Sequence, residues 1–162
     1  MNIELQVCSL ELSKRLKELG VKQDSLFYWD CNEEYYGHSS TNNNIITYGK
    51  NVYIPNHNHI FYSAFTVAEL LDMLTPIVTI ENDTPFNSFR LRFEKSFHVT
   101  NPDPENLEIK TIYIANYRCD STAVAGEDAW LERTLTSNKV DENPANALAK
   151  MLIYLLESGL IK

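Results

Sequence analysis

The chain has no basic run, no long apolar stretch and few residues that break or cross-link a backbone. Its 14 Lys and Arg are outnumbered by 22 Asp and Glu, for a net charge of −8, and both halves are acidic. Gripping a phosphate backbone takes clustered Lys and Arg that displace condensed counterions, so direct nucleic-acid binding is not expected. No apolar segment approaches the roughly 20 residues needed to cross a bilayer, so no membrane span is expected. With 5 Gly and 6 Pro in 162 residues, the chain is neither linker-rich nor fibrous.

Cysteine is also scarce. Cys8, Cys31 and Cys119 show no C-x-x-C spacing, and an odd, sparse set makes a poor disulfide framework but suits a reducing compartment. The opening residues carry no basic leader before an apolar core, so no signal peptide is expected and the cytoplasm is the expected location. Gly-rich phosphate loops, a Gly-x-Ser-x-Gly elbow and His-Glu-x-x-His are missing as well. No catalytic residue, metal ligand or cofactor is therefore assigned.

What the chain does contain is a core. Hydrophobic residues make up 44% and charged residues 22%, which places it among globular rather than disordered chains. The length fits one domain, residues 1–162. Three helices are legible. Ser9 suits an N-cap for residues 10–19, where Leu12, Leu16 and Leu19 share a face and Gly20 supplies the stop. Thr66 and Glu69 form a capping box ahead of Val67, Leu70, Leu71 and Leu74, with Pro76 ending the run. Asn143 and Pro144 open the third helix and Gly159 closes it. Ala145, Leu148, Met151, Leu152, Leu155 and Leu156 give that helix a wide apolar face, extended by Ile153 and Tyr154. It reads as a structural spine, or as the contact of a homodimer.

The middle of the chain reads as strands. Leu26 to Trp29 is an aromatic run, and Ile45–Tyr48 with Val52–Ile54 flank a hairpin loop at Gly49 to Asn51. Residues 89–99 alternate, with Phe89, Leu91, Phe93, Phe97 and Val99 on one side and Arg90, Arg92, Glu94, Ser96 and His98 on the other. A turn at residues 101–106 leads to a second strand from about Leu107 to Tyr117, placing Arg90 and Arg92 across from Glu108 and Lys110. Residues 120–142 have no clear pattern. The fold class is α+β, a largely antiparallel sheet with about three helices packed on it.

Three blocks resemble a family of small uncharacterised proteins of bacteriophages, prophages and gut bacteria. They are Cys8 to Leu12 continuing through Lys17–Gln23 and Ser25–Trp29, then Thr66–Leu74, then Asn143–Leu156. The resemblance implies a genomic context and carries no activity. Its blocks coincide with the helices, and the segment from Cys31 to Phe65 departs from the pattern.

The candidate chemistry is thin. His57 and His59, at i and i+2, can share a metal only with further ligands, and none stands nearby in sequence. Asp30 and Cys31, with Glu33 and Glu34, lack the electropositive setting a thiolate needs. Glu127-Asp128 and Asp141-Glu142 are adjacent acids; the second pair favours the start of the third helix through its dipole. Arg90 and Arg92 can clamp a phosphate or carboxylate, or pair across strands. Tyr35, Tyr36, Tyr48, Tyr53, Phe61 and Tyr62 suit a recognition surface. The leading expectation is a non-catalytic accessory protein of phage or mobile-element type that binds another protein. The alternatives are an enzyme assembled around His57, His59 and Asp30, and an acidic DNA mimic that blocks a DNA-binding protein.

Overall fold

The computed structural model describes residues 3–31, 45–49, 60–79, 88–101, 108–121, 131–134 and 138–161. The fold is α+β, with three α-helices and two antiparallel sheets among the described residues. The order is α1 (Leu10–Glu18), β1 (Phe27–Cys31), β2 (Ile45–Tyr48), β3 (Ile60–Ser63), α2 (Val67–Met73), β4 (Ile77–Thr79), β5 (Ser88–Asn101), β6 (Glu108–Ser121), β7 (Leu131–Thr134), β8 (Lys139–Asp141) and α3 (Pro144–Glu157).

Each helix is bounded by the chemistry its sequence announces. The Ser9 hydroxyl accepts from Leu12 N–H, and Gly20 takes φ +85° just past α1, where a side chain would clash with the backbone. Thr66 and Glu69 complete both halves of the capping box on α2. Asn143 Oδ1 accepts from the N–H of Ala145 and Asn146, and Pro144 sits where no N–H is needed.

One sheet runs β2-β1-β3; the other runs β4-β5-β6-β7, with β8 also on β6. Its spine is the β5–β6 hairpin, paired without a slip from Arg90↔Arg118 to Val99↔Ile109, then bulged before Asn101↔Glu108. This register corrects the expected neighbours of Arg90 and Arg92. Arg90 faces Arg118 and Arg92 faces Asn116, while Lys110 faces His98 and Glu108 faces Asn101. The reason is simple: a hairpin pairs residues equidistant from its turn, and both arginines lie far from it. The strand expected at Val52–Ile54 lies outside the described residues. The third strand before α2 is Ile60–Ser63, and β4, β7 and β8 are short additions the sequence did not announce.

The core forms where α3 meets the larger sheet. Ala145, Leu148, Ala149, Met151, Leu152 and Leu155 of α3 are buried with Phe89, Ala115 and Tyr117 of β5 and β6, Leu16 of α1, and Leu70 and Leu74 at α2. From Pro144 to Leu156 every residue of α3 is buried or half-buried, so the chain itself covers most of the helix surface. A smaller cluster of Val7, Trp29 and Ala64 joins the three-stranded sheet to the N-terminal segment. Trp29 Nε1 donates to the Cys8 carbonyl at 3.0 Å, so this indole is buried with its polar atom satisfied. Tyr117, in the main core, donates its hydroxyl to the Thr75 carbonyl, and burial pushes its phenol up to about 12.

Candidate functional site

The expected site residues divide three ways. His57, His59, Glu33, Glu34, Tyr35, Tyr36, Tyr53, Glu127 and Asp128 lie outside the described residues. Asp30 and Cys31 are successive residues of β1, so their side chains leave opposite faces of the strand and do not act as a base and nucleophile pair. Asp141 and Glu142 are likewise separated. Asp141 accepts from Lys150 Nζ at 2.7 Å and Asn143 N–H at 2.8 Å, whereas Glu142 stands 3.3 Å from Lys110 Nζ. Adjacent acids here are structural ties to α3 and β6. Among the described residues, no three His, Cys, Asp or Glu side chains group closely enough to hold a metal ion.

Cys8 is fully buried, its Sγ 3.2 Å from Ser13 Oγ, and burial raises its thiol above the ordinary value, the opposite of activation. Of the aromatic group, Tyr48 is exposed and lies edge-on to Phe27 at 5.7 Å. Tyr62 is half-buried beneath Lys14 and Lys17, at 5.5 and 4.6 Å from its ring centre. These contacts fasten α1 onto β3.

The feature that sequence reasoning did not single out is the outer half of the β5–β6 hairpin. Fourteen residues at about 3.4 Å each make a ladder about 45 Å long, more than the core can cover. On the inner face the burial is lost toward the turn. Phe89 and its diagonal neighbour Tyr117 are fully buried, and Phe93 stacks on Tyr113 at 6.2 Å. Beyond Lys95, Phe97 is 67% exposed, Val99 47% and Ile109 53%. The register sets Val99 directly opposite Ile109 and Phe97 opposite Thr111, so these apolar side chains share one face. Lys95, on the same face, lies 5.5 Å from the Phe97 ring centre. The sequence shows the alternation of this strand but not where the core beneath it stops.

The opposite face is different in kind. It carries Arg90, Arg92 and Arg118 in two neighbouring rows, with Arg90 and Arg92 exposed and Arg118 half-buried. Arg92 Nε lies 3.4 Å from Glu94 Oε2 on the same strand. The hairpin therefore offers an apolar outer face with one ammonium group at its inner edge, and a guanidinium-rich opposite face nearer the core.

No described helix is long and apolar enough to cross a membrane. No protein-family model, curated protein or solved structure matches the chain.

Proposed function

We propose that this is a cytoplasmic, non-catalytic accessory protein of phage or mobile-element type that acts by binding another protein through the outer half of the β5–β6 hairpin. The observation that carries the reading is the exposed row of Phe97, Val99 and Ile109 beyond the core. Apolar side chains gathered on one face cost free energy in water and repay it when a partner covers them. The helix that supplies the core has no exposed apolar residue from Pro144 to Leu156, so the hairpin is the better contact. The occupant is a different protein, apolar at its centre with a carboxylate at the rim to meet Lys95. A second copy fits poorly, because each carries a net charge of −8 and two hairpins meeting about their midpoints set Lys95 against Lys95. The resemblance of the helical blocks to phage-type proteins supports the setting.

The test is affinity capture from a host extract with the wild type and with the double variant Phe97→Asp, Ile109→Asp, after thermal melts show that both fold. A partner held by the wild type and lost by the variant is the expected result. A partner held equally by both overturns the hairpin contact, and turnover of a substrate by the purified chain overturns the non-catalytic reading.

A further inference from the structure

The outer half of the β5–β6 hairpin has an open main-chain edge as well as an apolar face. β4 covers only the start of β5, pairing Thr79↔Ser88, Val78↔Phe89 and Ile77↔Arg90. The last group on that side is the Pro76 carbonyl, which accepts from Leu91 N–H at 3.0 Å. Proline has no N–H to return, so the ladder stops there. One residue earlier the chain has already turned toward the core, where the Thr75 carbonyl accepts from the buried Tyr117. From Arg92 outward, no described strand lies beside β5 on this side.

Strand geometry fixes which groups the edge presents. In an antiparallel strand the N–H and C=O of one residue point the same way, and those of the next point the other way. Leu91 aims its N–H at the β4 side. Phe93, Lys95, Phe97 and Val99 therefore aim theirs along the same open side, while Arg92, Glu94, Ser96 and His98 are turned to β6. From Phe93 to Val99 the edge is about 20 Å long, the length of an ordinary strand. The side chains of the same residues lie on the apolar face, with Lys95, Phe97 and Val99 exposed.

A ribbon of only two strands is marginal in water, and a further strand over an apolar face stabilises it. Edges are commonly guarded against copies of themselves by a lysine or a bulge. β5 has both, with Lys95 near the middle of the edge and the irregularity between Val99 and Asn101 at its end. A lysine repels a like edge and admits one that carries a carboxylate at that position.

We propose that the partner docks as an extended strand on the β5 edge, antiparallel to β5, beginning where β4 breaks off. The site is the hairpin contact proposed above, on which this reading rests. Its occupant is a segment of another protein with apolar residues at alternate positions and a carboxylate facing Lys95. Main-chain bonds to Phe93, Lys95, Phe97 and Val99 hold the segment, and its alternate side chains extend the apolar row. A helix covers that row but leaves the main-chain groups of the edge open.

The experiment titrates the full chain with a short acetylated, amidated peptide of alternating Val and Thr with one central Glu. A helical peptide of Ala, Leu and Glu is the comparison probe, and amide hydrogen exchange and chemical shifts are the readout. Saturable binding of the strand peptide at millimolar concentration is expected. Exchange slows about tenfold near saturation at Phe93, Lys95, Phe97 and Val99, and far less at Arg92, Glu94, Ser96 and His98. Lys in place of the central Glu weakens binding about fivefold or more. Phe97→Ala keeps the outward N–H and Phe97→Pro removes it, at a position where an edge strand accepts proline. The Pro variant, once its thermal melt shows it folded, binds about fivefold more weakly than the Ala variant. The strand peptide N-methylated at alternate residues has lost its donors and does not bind, which makes the same test without altering the protein. No saturable binding of the strand peptide, exchange slowed without alternation, or full binding by the N-methylated peptide overturns the strand mode. Equal binding of the helical peptide overturns it too, and leaves the hairpin contact standing. Failure of the hairpin contact itself is read separately, by capture with Phe97→Asp, Ile109→Asp.

Discussion

Glu69 on α2 accepts the backbone N–H of Leu26 at 2.9 Å, across 43 residues of sequence. The same carboxylate accepts from Thr66 N–H at 2.7 Å, Thr66 Oγ1 at 2.8 Å and Ser25 Oγ at 3.2 Å. A side chain that looks in sequence like a local helix cap is therefore also the clasp that holds the entry of β1 against the N-terminus of α2. Replacing it removes a cap and strands two backbone donors. Glu69→Ala is expected to lower folding stability by about 2–3 kcal/mol, more than an isolated cap costs. Glu69→Gln keeps an acceptor for the box and is expected to cost about half as much. Urea denaturation midpoints at constant m-value measure both. A Glu69→Ala loss no larger than about 0.5 kcal/mol would show that the link to β1 contributes nothing.

Phe89 and Phe97 sit on the same face of the same strand, yet one is fully buried and the other 67% exposed. Their truncations should diverge accordingly. Phe89→Ala empties a site enclosed by α3 and costs about 3–5 kcal/mol. Phe97→Ala changes stability by no more than about 0.5 kcal/mol, because little packing is lost. Thermal or urea melts of the two variants decide the matter. A large loss at Phe97 would mean that its ring serves the fold rather than a partner.

How far this contrast was legible in sequence follows from what each signal depends on. Helix boundaries are set within a few residues, so Ser9, Thr66, Glu69, Asn143, Pro144 and the positive-φ Gly20 and Gly159 marked α1, α2 and α3 closely. The two long strands were visible because period-2 alternation survives over many residues. Ile77–Thr79, Leu131–Thr134 and Lys139–Asp141 were not, since three or four residues are too few to show a period and their pairing is decided by neighbours far along the chain. The same holds for the surfaces of the sheet. Arg90 and Arg92 stood out as a pair on one face, but Arg118 and Asn116 join them only through register. Phe97 and Val99 share the alternating face of Phe89 in sequence, and nothing in the alternation shows that they are exposed while Phe89 is buried.

Asp141 offers a check through pH. Its partial burial works to raise the carboxyl group. The hydrogen bond and charge of Lys150, the Asn143 N–H and the Asn146 amide outweigh that burial, and the group is held below the ordinary aspartate value. A carboxylate with a depressed folded-state pKa stabilises the fold fully above its unfolded value, near 4, and loses that contribution as the pH falls through the lower folded value. Asp141→Asn should therefore cost stability at neutral pH, where Lys150 loses its anionic partner at 2.7 Å. The gap between variant and wild type should narrow steadily as the solution is acidified below about pH 4. Urea midpoints measured for both proteins between neutral pH and about pH 2 give this difference directly. A gap that stays constant across the range would mean that Asp141 titrates alike in the folded and unfolded chain, and its three contacts would then contribute only through shape.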